Sequence, residues 1–310
     1  MTQPTLQHIV CTSGDHAFRM AWWQWGDPNA SHVVLCVHGL TRQGRDFDVL
    51  ARALLADAEK RGLPSMRIIC PDVPGRGRSE WLREPALYQV PTYVGAMLQL
   101  LAHLHQQAPI GRLDWVGTSM GGLIAMGIHA VMGTESWPLP SPIHKLVLND
   151  VGPVITWESI QRIGSYVMDT GHFADEAEAL AALQQRFVNF GPHTPEQWTE
   201  LNRPMLRPHH EGGLQLHYDP MLGLGFRHVP REAFVQGEAI LWKLYEAMRT
   251  PTLLLRGADS DLLTAPAARA MTEHGPKPHL IEFAGVGHAP TLVQGDQVEA
   301  VRHFLLDAEA

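Results

Sequence analysis

One serine of this chain stands between glycines, in the stretch GTSMG at residues 117–121, directly behind the apolar run of Trp115 and Val116. A serine hydroxyl is a weak nucleophile until a base takes its proton and a third group orients that base. Glycines remove side chains where the backbone must turn sharply or pack closely. The pentapeptide fits G-x-S-x-G, and it lies between a strand-like run and a helix-like run, the context that exposes a serine oxygen on a tight turn. The start of the following helix adds backbone donors and positive potential beside that oxygen. Ser119 is therefore the candidate nucleophile. Its ordinary alternative is a plain turn serine.

A base and an acid are then required, both at the C-terminal ends of strands if the sheet is parallel. Of the 18 histidines, His288, held between glycine and proline turns in GVGHAP after the last strand-like run, is the one expected to be the base. The adjacent His209 and His210 invite a metal reading, but their side chains diverge and no carboxylate pattern frames them. Three aspartates follow strand-like runs: Asp150 in LNDVGP, and Asp259 and Asp261 in RGADSDLL. Asp261 is the first choice, giving the order serine, acid, histidine at 119, 261 and 288. Asp150 also lies between Ser119 and His288 and stays open as the acid. The ordinary role of Asp150 and Asp259 is turn capping. The backbone amides of Met120, just after the serine, and Leu40, in the loop after an earlier strand, are the candidate donors to an oxyanion. His38 reads as a brace for that loop.

Short apolar runs at 32–39, 66–72, 112–117, 144–150, 250–261 and 277–285 read as buried strands. Segments 46–62, 90–107, 120–132, 237–248 and 296–307 have helical spacing. This alternation predicts an α/β fold, a mostly parallel sheet of about eight strands covered by helices on both faces. Two further strands joined by Ser13-Gly14-Asp15 predict an antiparallel hairpin at the sheet edge, where Trp22, Trp23 and Trp25 pack. From about residue 154 to 237 the strand rhythm gives way to helices broken by proline and glycine. Aromatic and long apolar residues there (Trp157, Tyr166, Phe173, Phe187, Phe190, Trp198, Met205, Leu206, Tyr218) read first as packing, and a mostly apolar acyl site would suit them.

At 310 residues, 45% of them hydrophobic, the chain can bury a full core, and at net charge −8 it is a poor partner for nucleic acid or anionic membrane surfaces. Its first residues carry neither a basic nor a continuous apolar region of a signal peptide, and no stretch reaches the ~18 apolar residues of a membrane span. Cys11, Cys36 and Cys70 are widely spaced, with no zinc pattern; Cys36 and Cys70 sit inside strand-like runs. A reduced, cytoplasmic setting is expected. The composition is compatible with a homo-oligomer.

Together, VVLCVHGL, DVPGRGRSE, GTSMGG, RGADSDLL and GVGHAP, each at a strand end and in this order, resemble the α/β-hydrolase superfamily over nearly the whole chain. The resemblance implies Ser119 as nucleophile, Asp261 as acid, His288 as base, and Leu40 and Met120 as oxyanion donors. It implies a core of residues 1–153 and 238–310, and a helical cap of residues 154–237 over the site. It makes the DVPGRGRSE loop mainly structural, near the site mouth; Arg76 and Arg78 themselves read as solvated. Relatives that cleave epoxides or haloalkanes carry aspartate where this chain has Ser119. Proline-specific aminopeptidases usually carry tryptophan where it has Met120.

The leading expectation is hydrolysis of small to medium, mostly apolar carboxylic esters through an acyl-enzyme, with no metal or organic cofactor. The alternative is carbon–carbon bond hydrolysis in vinylogous diketones. Acyl transfer, or ligand binding without catalysis, stands behind these.

Overall fold

The structure is a computed structural model that describes residues 3–226 and 231–308. In chain order it contains β1 (Thr5–Ser13), β2 (His16–Gly26), β3 (His32–Val37), α1 (Asp48–Lys60), β4 (Met66–Asp72), α2 (Val90–Gln107), β5 (Arg112–Thr118), α3 (Met120–His129) and β6 (Ile143–Asn149). There follow α4 (Trp157–Tyr166), α5 (Glu176–Arg186), α6 (Pro195–Asn202), β7 (Leu206–Pro208), β8 (Leu214–Leu216), α7 (Arg231–Ala247), β9 (Thr252–Gly257), α8 (Ala265–Glu273), β10 (His279–Phe283) and α9 (Gly295–Leu306).

Eight strands form one sheet in the order β1-β2-β4-β3-β5-β6-β9-β10. The β1–β2 hairpin and the β2–β4 pair are antiparallel, and all later pairs are parallel. Alternation along each central strand divides the core in two. Val33, Leu35 and Val37 of β3 join the cluster under α2, α3 and α8, while Val34 and Cys36 join the one under α1 and α9. Both faces are covered, so both sets must be apolar, which is why these strands read as unbroken hydrophobic runs. In α2 the buried Tyr93, Ala96, Met97, Leu100, Leu101 and Leu104 recur at three- and four-residue steps. Trp22 and Trp25 are buried, Trp23 packs under the Arg45 guanidinium at 4.7 Å, and all three cysteines are buried free thiols.

Between β6 and β9 the inserted helices gather a third cluster, including Ile163, Phe173, Leu183, Trp198, Met205 and Tyr218. In the insertion the helical pattern breaks at a proline, as the sequence suggests. α6 stops at Asn202, and residues 206–208 pair instead with 214–216. Pro204 explains the break, since it offers no amide to a continuing helix. α7 begins at Arg231, six residues ahead of the Gly237 start expected from sequence. A mid-helix glycine costs only about 1 kcal/mol against alanine, which helix packing outweighs. Residues 227–230 of the expected cap lie outside the described residues. α8, a nine-residue helix, escaped the sequence pattern; Thr264 caps it through the amide of Ala267. Among the described residues no helix is long and apolar enough to cross a membrane.

Candidate active site

The turn between β5 and α3 is built by close backbone contact. A Cβ on Gly117 would lie 2.6 Å from the Gly121 carbonyl carbon, and one on Gly121 would lie 2.0 Å from the Val37 carbonyl oxygen. Only glycines let α3 sit so low on β3 and β5. Ser119 is left at φ 51° and ψ −116°, a conformation L-residues rarely adopt. Its amide donates to the Asn149 carbonyl at 2.9 Å, anchoring the strained turn to β6.

His288 reaches back to this serine. The Ser119 Oγ stands 2.9 Å from His288 Nε2, and His288 Nδ1 stands 2.7 Å from Asp150 Oδ2. The Asp150 carboxylate is fully buried, and it also accepts from the Gly257 amide at 3.0 Å and from the Ser260 hydroxyl at 2.6 Å. A carboxylate facing Nδ1 places the imidazole proton there and leaves Nε2 free to accept from serine. Asp150 follows β6 directly, at φ 54°, with its amide donating to the Leu255 carbonyl at 2.8 Å.

Asp261, the acid expected from chain order, is elsewhere. Its exposed carboxylate takes Arg162 Nε at 2.8 Å and Nη2 at 2.9 Å. The reason is the turn after β9: the Asp259 amide donates to Val286, the Ser260 amide to Gly257, and the chain swings outward beneath α4. There the hydroxyls of Thr156 and Ser159 hold the Asp261 carbonyl. Asp259 is exposed as well.

The loop after β3 brings Leu40 to the serine. A Cβ on Gly39 would lie 3.6 Å from the Ser119 Cβ. Among the described residues the amides of Leu40 and Met120 have no hydrogen-bond acceptor, as a pair of oxyanion donors requires. His38 ties the Leu40 loop to the next one. Its Nδ1 faces the Gly39 carbonyl at 2.7 Å, and its Nε2 accepts from the Val73 amide at 2.9 Å. Burial pushes its pKa down to about 3.

Arg76, expected to be solvated, is fully buried; Arg78 is exposed. Arg76 Nε donates to the Leu40 carbonyl at 2.7 Å, Nη1 to the Pro74 carbonyl at 2.6 Å, and Nη2 lies 3.4 Å from Met120 Sδ. It therefore touches both residues that carry the free amides. Sequence reasoning missed it because an arginine between glycines looks like a turn charge.

Two cavities meet at Ser119. One, about 240 Å³, is apolar, walled by Met120, Leu123, Val151, Ile163, Leu222 and Phe226 among others. The other, about 90 Å³, holds His288 together with Arg162, Tyr166, Arg186, Phe187 and Phe190. Of the aromatic and long apolar residues noted in the insertion, Phe173, Trp198, Met205 and Tyr218 are packing, whereas Tyr166, Phe187 and Phe190 line the cavity at the serine. No sequence signal singled out Arg162 or Arg186. Among the described residues one trio, His172, His209 and Glu211, brings metal-ligand atoms within 4.8 Å of one another. It sits at the turn between β7 and β8, lining neither cavity; His172, stacked on His209 at 4.1 Å, is the partner that the sequence did not show.

A profile of the alpha/beta hydrolase family matches residues 34–301. A solved structure from Rickettsia typhi superposes with a TM-score of 0.81 and 26% identity, over 99% of this chain and 100% of its own. An alpha/beta hydrolase from Novosphingobium aromaticivorans gives 0.76 and 30% identity, over 98% of this chain and 99% of its own. A 3-hydroxybutyrate-oligomer hydrolase of Cupriavidus necator is 44% identical over 309 residues, 98% of this chain and 99% of the relative. The chain belongs to the alpha/beta hydrolase family and is a carboxylic-ester hydrolase.

Proposed function

We propose that the protein hydrolyses short oligomers of 3-hydroxybutyrate, with Ser119 as nucleophile, His288 as base and Asp150 as the orienting acid. The observation that carries this reading is the unbroken hydrogen-bond chain Ser119–His288–Asp150 at the junction of the two cavities. The extent and identity of the Cupriavidus relative support the substrate.

His288 Nε2 takes the Ser119 proton as the oxygen attacks the ester carbonyl. The developing oxyanion draws the amides of Leu40 and Met120. Asp150 stays ionised and stabilises the imidazolium without taking its proton. The imidazolium then protonates the departing alkoxide. Water, activated by the same histidine, releases the acid from Ser119.

The test is to follow monomer release from the linear dimer and trimer by wild type and by Ser119→Ala. Wild type should liberate 3-hydroxybutyrate, and the variant should lose about 10⁴-fold or more in kcat. A wild type that cleaves p-nitrophenyl butyrate but neither oligomer refutes the substrate. A variant with near-normal turnover refutes the nucleophile.

A further inference from the structure

The chain carries 32 acidic against 24 basic residues, yet three arginines and no carboxylate line the smaller cavity beside Ser119. Arg42 is spent within the fold, on both Asp46 oxygens and on Asn202. Arg162 and Arg186 are engaged from outside the cavity. Arg162 gives Nε and Nη2 to Asp261; Arg186 gives Nη1 to the Asp169 carbonyl at 2.9 Å and Nη2 to its carboxylate at 3.1 Å. These pairings fix two planar cations on the cavity wall; Arg162 also reaches the Tyr166 phenol and Arg186 the Tyr218 phenol, and each guanidinium, with five N–H groups, keeps donors for another acceptor. Tyr166 lies with them. Burial pushes its phenol pKa up, with Arg162 and Arg186 pulling the other way, so near neutral pH it is a hydroxyl that can donate.

His288 lines this cavity and not the apolar one, while Met120, which offers an oxyanion amide, lines the apolar one. The group that His288 protonates is the leaving alcohol. The leaving group therefore occupies the arginine side, and the acyl chain the apolar side. In an oligomer of 3-hydroxybutyrate the terminal leaving group is itself a hydroxy acid with a carboxylate.

We propose that Arg162 and Arg186 bind that carboxylate, so that the enzyme removes one 3-hydroxybutyrate at a time from the carboxyl end. This rests on the substrate reading above. The acyl–oxygen bond breaks, the Ser119–acyl bond forms, the alkoxide takes the proton from His288, and the carboxylate keeps its charge throughout.

The experiment compares kcat/KM for the 3-hydroxybutyrate dimer with that for the same dimer carrying a carboxamide in place of its carboxylate. Wild type should prefer the carboxylate about tenfold or more, as expected for charge-assisted hydrogen bonds. The pair Arg162→Gln and Arg186→Gln should bring the ratio close to one, mainly through KM, and the corresponding lysine pair should restore part of it. In parallel, 3-hydroxybutyrate should inhibit p-nitrophenyl butyrate hydrolysis by wild type competitively, and about tenfold more weakly for the glutamine pair. A wild-type ratio near one, or a ratio unchanged in the folded glutamine variants, overturns the proposal. If wild type cleaves neither dimer, the oligomer reading fails, and the inhibition series decides the carboxylate site by itself.

Discussion

Replacing Asp150 by asparagine separates the two acids that chain order leaves equal. Asp150 accepts three hydrogen bonds, from His288 Nδ1, the Ser260 hydroxyl and the Gly257 amide. In Asp150→Asn, keeping the amide oxygen on Gly257 turns the NH₂ toward Ser260 and His288. The serine hydroxyl can rotate and accept. The imidazole can accept only by moving its proton from Nδ1 to Nε2, where it faces Ser119 and cannot act as base. The wrong tautomer costs on the order of 10⁴ in kcat in serine proteases, about 5 kcal/mol. The opposite flip keeps the tautomer but sets the NH₂ against the Gly257 amide, about 1–3 kcal/mol for an unpaired buried donor. In Asp261→Asn the lost ion pair is 42% and 46% exposed at its two side chains. Such a pair contributes up to about 1 kcal/mol, so kcat/KM for p-nitrophenyl butyrate should fall less than about fivefold. Both variants are assayed on that neutral ester, with circular dichroism confirming the fold. The reasoning is refuted if Asp150→Asn keeps more than a tenth of wild-type kcat while Asp261→Asn loses a thousandfold.

Arg76→Lys removes the fork that holds the Leu40 carbonyl, and steady-state kinetics should show a kcat loss of about 10- to 100-fold with little change in KM, part of the cost of losing an oxyanion donor. Unaltered kcat would mean that Leu40 keeps its place without Arg76. Gly121→Ala drives a methyl group into the Val37 carbonyl, and urea unfolding should register a loss of about 3 kcal/mol. His38, held near pKa 3 against an ordinary 6.5, binds fewer protons folded than unfolded between those values. Its contribution is complete above pH 6.5 and is lost as pH falls toward 3, at up to about 1.4 kcal/mol per unit. Asp72, raised to about 6 by burial, has the opposite slope between roughly pH 4 and 6. The difference in unfolding free energy between wild type and His38→Asn should therefore carry a slope of one proton across pH 6 to 4. A flat difference would show that His38 is not held neutral.

Much of the fold was legible because burial on both faces forces long apolar runs on β3, β4, β5, β6 and β9, and because α2 repeats its buried residues without interruption. Ser119 was legible through glycines that steric contact demands, and His288 through the turn residues around it. The acid was not. Asp150 and Asp261 both follow strands and both precede His288, so chain order cannot rank them. What separates them is geometry: Asp150 stands at the end of β6, between β5 and β9, whereas Asp261 comes four residues after β9, where the chain has already turned outward. The arginines escaped for a related reason. Arg76 is buried by contacts 36 and 44 residues away, and Arg162 and Arg186 line the cavity at Ser119 only because of how α4 and α5 are placed within the insertion.

Asn149 binds the Thr118 hydroxyl at 3.0 Å and the Pro290 carbonyl at 2.8 Å, while its own carbonyl takes the Ser119 amide and its successor takes His288. Two consecutive residues at the end of β6 thus fasten the serine turn to the histidine loop, and no residue of α4, α5 or α6 takes part in the links among Ser119, His288 and Asp150. The insertion meets this machinery beside the histidine, where the Asn189 carbonyl, between α5 and α6, accepts from the Gly287 amide at 2.6 Å. With that contact kept, the inserted helices could be exchanged for others, changing which ester enters while the same machinery cleaves it. On warming, fraying of those helices should broaden the range of esters accepted before turnover itself is lost.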